Sequence, residues 1–183
     1  MIGDLADSAF VDQLVQGCDG ILHLGGVSTE QPFDEILPAN IVGVCNIYKA
    51  AAKYDRPRVI FASSNHVTGA YSTQETITPS EPFLPDSFYG ASKVFGEAVA
   101  KLFFVKEGIE SAIVRIGSCF DQPSDLRMMS TWFSPNDFSA LIKSCFEVET
   151  LNCPTIFRVS NNARSFWRNT EISHLAWHIE ARA

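Results

Sequence analysis

RVIFASS at residues 58–64 and SAIVRIG at 111–117 decide the fold. Each is a short, nearly continuous apolar run, the pattern of a strand buried on both faces. Between them a helical pattern runs from Tyr89 to Glu107 and meets a stop at Gly108. The same alternation extends toward the N-terminus. Phe10, Val11, Leu14 and Val15 recur at helical spacing after Asp7, a candidate N-cap, with Gly17 as the stop. Ile21 to Leu24 form a brief buried strand ending at Gly25 and Gly26, and a long helical pattern spans Phe33 to Tyr54, with its start expected near Pro38. Toward the C-terminus come one more helix, 137–148, and one more strand, 155–160, and then SFWRNTEISHLAWHIEARA, which the patterns leave unassigned. Short strands alternating with amphipathic helices predict an α/β fold: a three-layer parallel sheet with helices on both faces.

Composition supports a compact chain and narrows its partners. Of 183 residues 46% are hydrophobic and 19% charged, enough for a sizeable core. Lys and Arg number 14 against 21 Asp and Glu, a net charge of −7 with no basic run, so nucleic acid is not an expected partner. No apolar stretch reaches the roughly 18–20 residues a membrane helix needs, and MIGDLADSAF carries acids where a secretory signal carries Lys or Arg. A cytoplasmic protein without membrane partners is expected. Cys18, Cys45, Cys119, Cys145 and Cys153 form no CxxC pair and are expected as buried free thiols, and no metal site is expected. His23, inside an apolar strand, is expected as a satisfied core residue, and His174 and His178 fit no metal motif.

In an open parallel sheet the ligand crevice lies beyond the C-terminal strand ends. Three small polar clusters fall there: Leu24-Gly25-Gly26-Val27-Ser28, Ala62-Ser63-Ser64-Asn65-His66 and Ile116-Gly117-Ser118-Cys119. Ser and Asn are ordinary turn formers, but three such clusters after three strands favour a binding cleft. The long Ser/Thr/Pro-rich loop from Ser64 to about Phe88 also suits a functional segment. In Phe88-Tyr89-Gly90-Ala91-Ser92-Lys93, Tyr89 and Lys93 stand four apart, on one helix face. A nearby ammonium is expected to favour the Tyr89 phenolate and so allow acid–base work, with Ser64 holding the oxygen that exchanges the proton. Arg127, in the polar loop SDLRMMS, is either a solvated surface residue or a fork for a substrate carboxylate. Asn65 and His66 are either a turn pair or a polar wall.

These residues resemble the extended short-chain dehydrogenase/reductases, the NAD-dependent epimerase/dehydratase family, built on the nicotinamide-binding Rossmann fold. LGGVS, FASSNH, YGASK, VRIGSC and LRMMSTWFS resemble, more narrowly, its uronate dehydrogenase branch, from DLAD at the start to about Trp167. The resemblance implies oxidation of a hexuronic acid at its anomeric carbon to an aldarolactone with NAD, NADP remaining open. It implies Tyr89 as general base, Lys93 as ligand of the nicotinamide ribose, and Ser64 as the group orienting the reacting hydroxyl. Ser28, Ser64, Asn65, His66, Ser118 and Arg127 fall where the family contacts the sugar. Asp4, Leu5, Leu24, Gly25, Gly26, Asn40, Tyr89, Lys93 and Ile116 fall where it contacts the cofactor.

No GxGxxG or GxxGxxG occurs in the sequence. By the resemblance, residues 1–183 are a partial NAD(P)-binding Rossmann-type domain with a short substrate-binding C-terminal part. The chain is expected to lack the family's first strands and phosphate loop, and to stop short at its C-terminal end. The Ile21–Leu24 strand would then present a bare apolar edge. Two other readings compete: a nucleotide-sugar epimerase or dehydratase, and a non-catalytic interaction protein pairing through that edge. Homo-oligomerisation through the Phe33–Tyr54 and Tyr89–Glu107 helices is a further implication of the resemblance.

Overall fold

The computed structural model describes residues 1–169, so His174 and His178 lie outside the described residues. The elements are α1 (Ser8–Val15), β1 (Gly20–His23), α2 (Phe33–Ile36), a π-helical segment (Leu37–Gly43), α3 (Val44–Lys53), β2 (Arg58–Ser64) and a 3₁₀ turn (Asn65–Thr68). They continue with α4 (Phe88–Glu107), β3 (Ser111–Ile116), β4 (Ser118–Cys119), α5 (Met128–Thr131), β5 (Trp132–Phe133), α6 (Pro135–Glu147) and β6 (Thr155–Arg158).

Local chemistry sets the helix starts. The Asp7 carboxylate accepts from the amides of Ala9 and Phe10, Ser87 Oγ accepts from Gly90 at 3.0 Å, and Ser134 Oγ accepts from Asp137 at 3.0 Å. The long second helix departs from expectation. It begins at Phe33 and carries Pro38 inside it, where an α-helical path would deny the Asp34 carbonyl a donor and press the ring against it. The chain widens into π turns there and resumes as α3.

Strands β1, β2, β3 and β6 form one sheet in the order β1-β2-β3-β6, and every pair is parallel. Alternate residues of the strands face opposite layers. Val59, Phe61 and Ile113 pack with Val11, Ile47, Tyr48 and Val99 from α1, α3 and α4. Ile60, Ala112, Val114 and Ile156 pack against Leu141 and Cys145 of α6. Helices therefore cover both faces, and the three-layer arrangement read from the sequence holds. β1 has a partner on one side only among the described residues. A small parallel pair, β4 with β5, was invisible in the pattern because each strand is two residues long. All five cysteines are free, but only Cys145 is buried; the other four are half-buried, a correction to the expected set of core thiols. No helix among the described residues is long and apolar enough to cross a membrane.

Candidate active site

The C-terminal ends of β1, β2 and β3 open onto a cavity of about 750 Å³. Its wall collects Leu24, Gly26, Ser28, Ser64, Asn65, His66, Tyr89, Lys93, Ile116, Ser118 and Arg127, which the sequence placed at separate strand ends, on one helix and in a loop. Parallel pairing brings them together: Ser64 stands opposite Ile116, and His23 at the end of β1 opposite Phe61.

α4 presents Tyr89 and Lys93 to this cavity, and its approach depends on Gly90. A Cβ at Gly90 would lie 2.5 Å from the His66 carbonyl oxygen, so a larger residue would push the helix off the turn that carries Asn65 and His66. The first amides of α4 are satisfied by Glu30, which accepts from Phe88 at 3.2 Å and from Tyr89 at 2.9 Å. Glu30 also lines the cavity and was missed in the sequence, since nothing local marks a cap 58 residues away.

Lys93 is buried and donates from Nζ to the Ala62 carbonyl at 2.9 Å, while its ammonium stands 5.7 Å from the centre of the Tyr89 ring. Burial pulls the Lys93 ammonium down to about 8. Burial also pushes the Tyr89 phenol up, with a hydrogen bond from Ser64 pulling it partway back. The expected depression of Tyr89 by Lys93 is therefore not what the structure gives: both groups are desolvated, and the ammonium is turned to a backbone carbonyl.

His66 leans edge-on to Tyr89, ring centres 5.5 Å apart, and its Nδ1 lies 2.9 Å from both carboxylate oxygens of Asp86. That contact fixes the ring and leaves Nε2 as its second polar atom. Partial burial raises Asp86, but hydrogen bonds from His66 and Ser87 outweigh it and hold the carboxyl below its usual range. Asn65 and His66 thus open a 3₁₀ turn and also line the cavity. Ser118 Oγ and Thr131 Oγ1 are 2.9 Å apart, which ties β4 to α5, and Arg127 sits immediately before α5.

Four sequence-derived candidates stand beside the cavity and do not line it. Asn40 is buried and its amide is committed: Oδ1 accepts from Val27 at 2.8 Å, and Nδ2 donates to the Val27 carbonyl and to Ser92 Oγ, each at 2.9 Å. It braces the loop after β1 against α4 and has no free donor for a cofactor. Gly26, with φ of 146°, packs on that amide; a Cβ there would lie 2.7 Å from Asn40 Oδ1. Leu5 packs over Gly25, and the exposed Asp4 carboxylate accepts from Ala6 at 2.9 Å. His23 is buried as expected but not satisfied, because its Nε2 has no hydrogen-bond partner among the described residues.

The residues present fit the nicotinamide-riboside half of a dinucleotide. Lys93 Nζ has one hydrogen bond and two further donors, beside a floor of Gly26 and Ile116 that offers no bulky side chain at the glycine.

Comparison with known proteins agrees with this geometry. Residues 1–132 match the NAD dependent epimerase/dehydratase family. Uronate dehydrogenase of Agrobacterium fabrum is 48% identical over 174 residues, 95% of this chain and 66% of that protein. Uronate dehydrogenase of Pseudomonas syringae pv. tomato is 48% identical over 172 residues, 94% of this chain and 62% of its own length. The chain thus spans less than two thirds of either relative. The crystal structure of glucuronic acid dehydrogenase from Chromohalobacter salexigens superposes with a TM-score of 0.98 at 46% identity, covering 100% of this chain and 68% of that one.

Proposed function

The chain belongs to the NAD dependent epimerase/dehydratase family, and from that premise we propose that it carries the catalytic residues of an NAD-dependent oxidoreductase of the uronate dehydrogenase type. The reaction is oxidation of a hexuronic acid at the anomeric carbon to an aldarolactone. The observation that carries this reading is the convergence of Ser64, Tyr89, Lys93 and Arg127 on one cavity.

Tyr89 takes the proton of the anomeric hydroxyl, and Ser64, which lines the cavity beside Tyr89, orients that hydroxyl toward it. Arg127 grips the carboxylate at the far end of the sugar, where a guanidinium fork gives two-point recognition. Asn65, His66 and Ser118 meet the ring hydroxyls, and Ser28 closes the wall on the β1 side. Lys93 holds the ribose hydroxyls with the donors that Ala62 leaves free. NAD, when bound, would supply the acceptor for the hydride that leaves the anomeric carbon, and its positive charge would oppose the upward push that burial gives the Tyr89 phenol. Leu24, Gly25, Asp4 and Leu5 are assigned to its adenosine side; Asn40 acts there only by bracing the loop.

The setting is cytoplasmic. The half-exposed Phe33 and Phe88, ring centres 5.9 Å apart, are offered to a second copy of the chain. Calorimetry with NAD and glucuronate, followed by an assay for NADH formation, tests the reading. Joint binding and turnover are expected. A folded chain that binds a UDP-sugar but not glucuronate would overturn it.

A further inference from the structure

A second cavity of about 360 Å³ adjoins the first, within the ~300–1,000 Å³ range of small-molecule sites. The two share Asn65, His66, Asp86 and Arg127, so these side chains form a common wall rather than an end to the cleft. The far side of the second cavity is built by Tyr71, Arg164 and Phe166. We propose that this cavity is a subsite for a second uronic acid residue, and that the chain binds the reducing end of a 1,4-linked oligouronide as well as a single sugar acid.

The proposal rests on the active-site reading above, and the chemistry of the pyranose ring carries it from there. C1 and C4 are opposite corners of the ring, and C4 neighbours the carbon that bears the carboxylate. With C1 at Tyr89 and the carboxylate at Arg127, O4 faces the wall shared with the second cavity. A sugar joined at O4 then enters that cavity.

The walls suit such an occupant. Arg164 is exposed, and neither it nor Arg127 has an ion pair among the described residues, so two guanidinium groups are free for two carboxylates. Asp86 is the one acid of this wall, and its oxygens are taken up by His66 and Ser87. The segment bearing Arg164 is held in place. Asn162 Nδ2 donates to the Trp132 carbonyl at 2.8 Å, Ser165 donates to the Asn162 carbonyl at 3.1 Å, and the chain then pairs with Ile77 through Trp167. Tyr71 and Phe166, both half-buried, add aromatic surface of the kind that sugar rings pack on.

Calorimetry of the full chain with galacturonate and with 1,4-linked digalacturonate, both in saturating NAD, separates the outcomes. Digalacturonate is expected to bind about tenfold tighter than the monomer, a difference of ~1.4 kcal/mol. Arg164→Ala should erase that gain and leave galacturonate binding unchanged. If galacturonate binds and digalacturonate binds no better, or if Arg164→Ala leaves the gain intact, the subsite is wrong while the active-site reading stands. If neither sugar acid binds to a folded chain, both fall together.

Discussion

Glu97 on α4 and Arg115 on β3 form a bidentate pair with both N–O distances at 2.9 Å, and their exposures are 0% and 1%. Glu97 also accepts from Ser63 Oγ at 2.6 Å, one residue from Ser64. Tyr89, Lys93 and Glu97 thus lie at successive steps of four along α4, and the last two are bound to the end of β2 through Ala62 and Ser63. The helix that carries Tyr89 and Lys93 is locked to the strand that carries Ser64. Breaking a buried pair by removing one partner strands the other charge. Glu97→Ala should destabilise the fold by about 3–5 kcal/mol in urea denaturation. Glu97→Leu with Arg115→Met should recover most of that loss, and an unchanged single variant would show that water reaches Arg115.

Tyr89→Phe removes one hydroxyl from a buried ring. Turnover of glucuronate should fall by about 10²–10⁴-fold, while circular dichroism and the melting temperature change little. Equal activity would remove Tyr89 from the mechanism.

His23 is held down to about 4, first by burial and then by the Lys93 ammonium, against 6.5 for an exposed imidazole. Its folded value lies below its unfolded one, so between about 6.5 and 4 the unfolded chain binds the extra proton. Its contribution is intact above 6.5 and is lost as pH falls toward 4, on the order of 3 kcal/mol in all. His23→Phe should flatten that part of the stability curve in denaturant melts across the same window. A variant slope equal to that of the native chain would mean that His23 protonates in place.

Arg58 opens β2 at the end of the sheet away from the cavity. Its Nη1 donates to the carbonyls of Cys145, Phe146 and Val148 at 2.9, 3.1 and 2.8 Å, capping the C-terminus of α6, and Nη2 pairs with Glu110. Glu110 in turn accepts from Leu151 and Asn152, each at 2.7 Å. Arg58→Met should cost about 2 kcal/mol of stability and leave glucuronate affinity unchanged. A loss of affinity without loss of stability would contradict this division of labour.

The strands and helices were legible because each carries its own period: RVIFASS and SAIVRIG are too apolar to be anything but buried, and Gly108 takes the left-handed turn that ends α4. The site was legible in parts: clustering at strand ends brought out Ser64, helical spacing brought out Tyr89 and Lys93, and Arg127 stood out only with the family resemblance. The bracing role of Asn40 was not legible because it depends on partners 13 and 52 residues away, and Glu30 was missed for the same reason. Pro38 was read by its local rule, which the π turn evades.

By itself, then, the sequence determined a parallel α/β sheet, the strand ends as the place of the site, and the spacing of Tyr89 and Lys93, because periodicity and helical geometry act over a few residues. Tertiary structure alone decided the rest: the desolvation that raises Tyr89 and lowers Lys93, the buried Glu97–Arg115 pair, and the second cavity behind His66 and Arg127. Burial and cavity shape are sums over residues distant in the chain, and they exist only once the layers have packed.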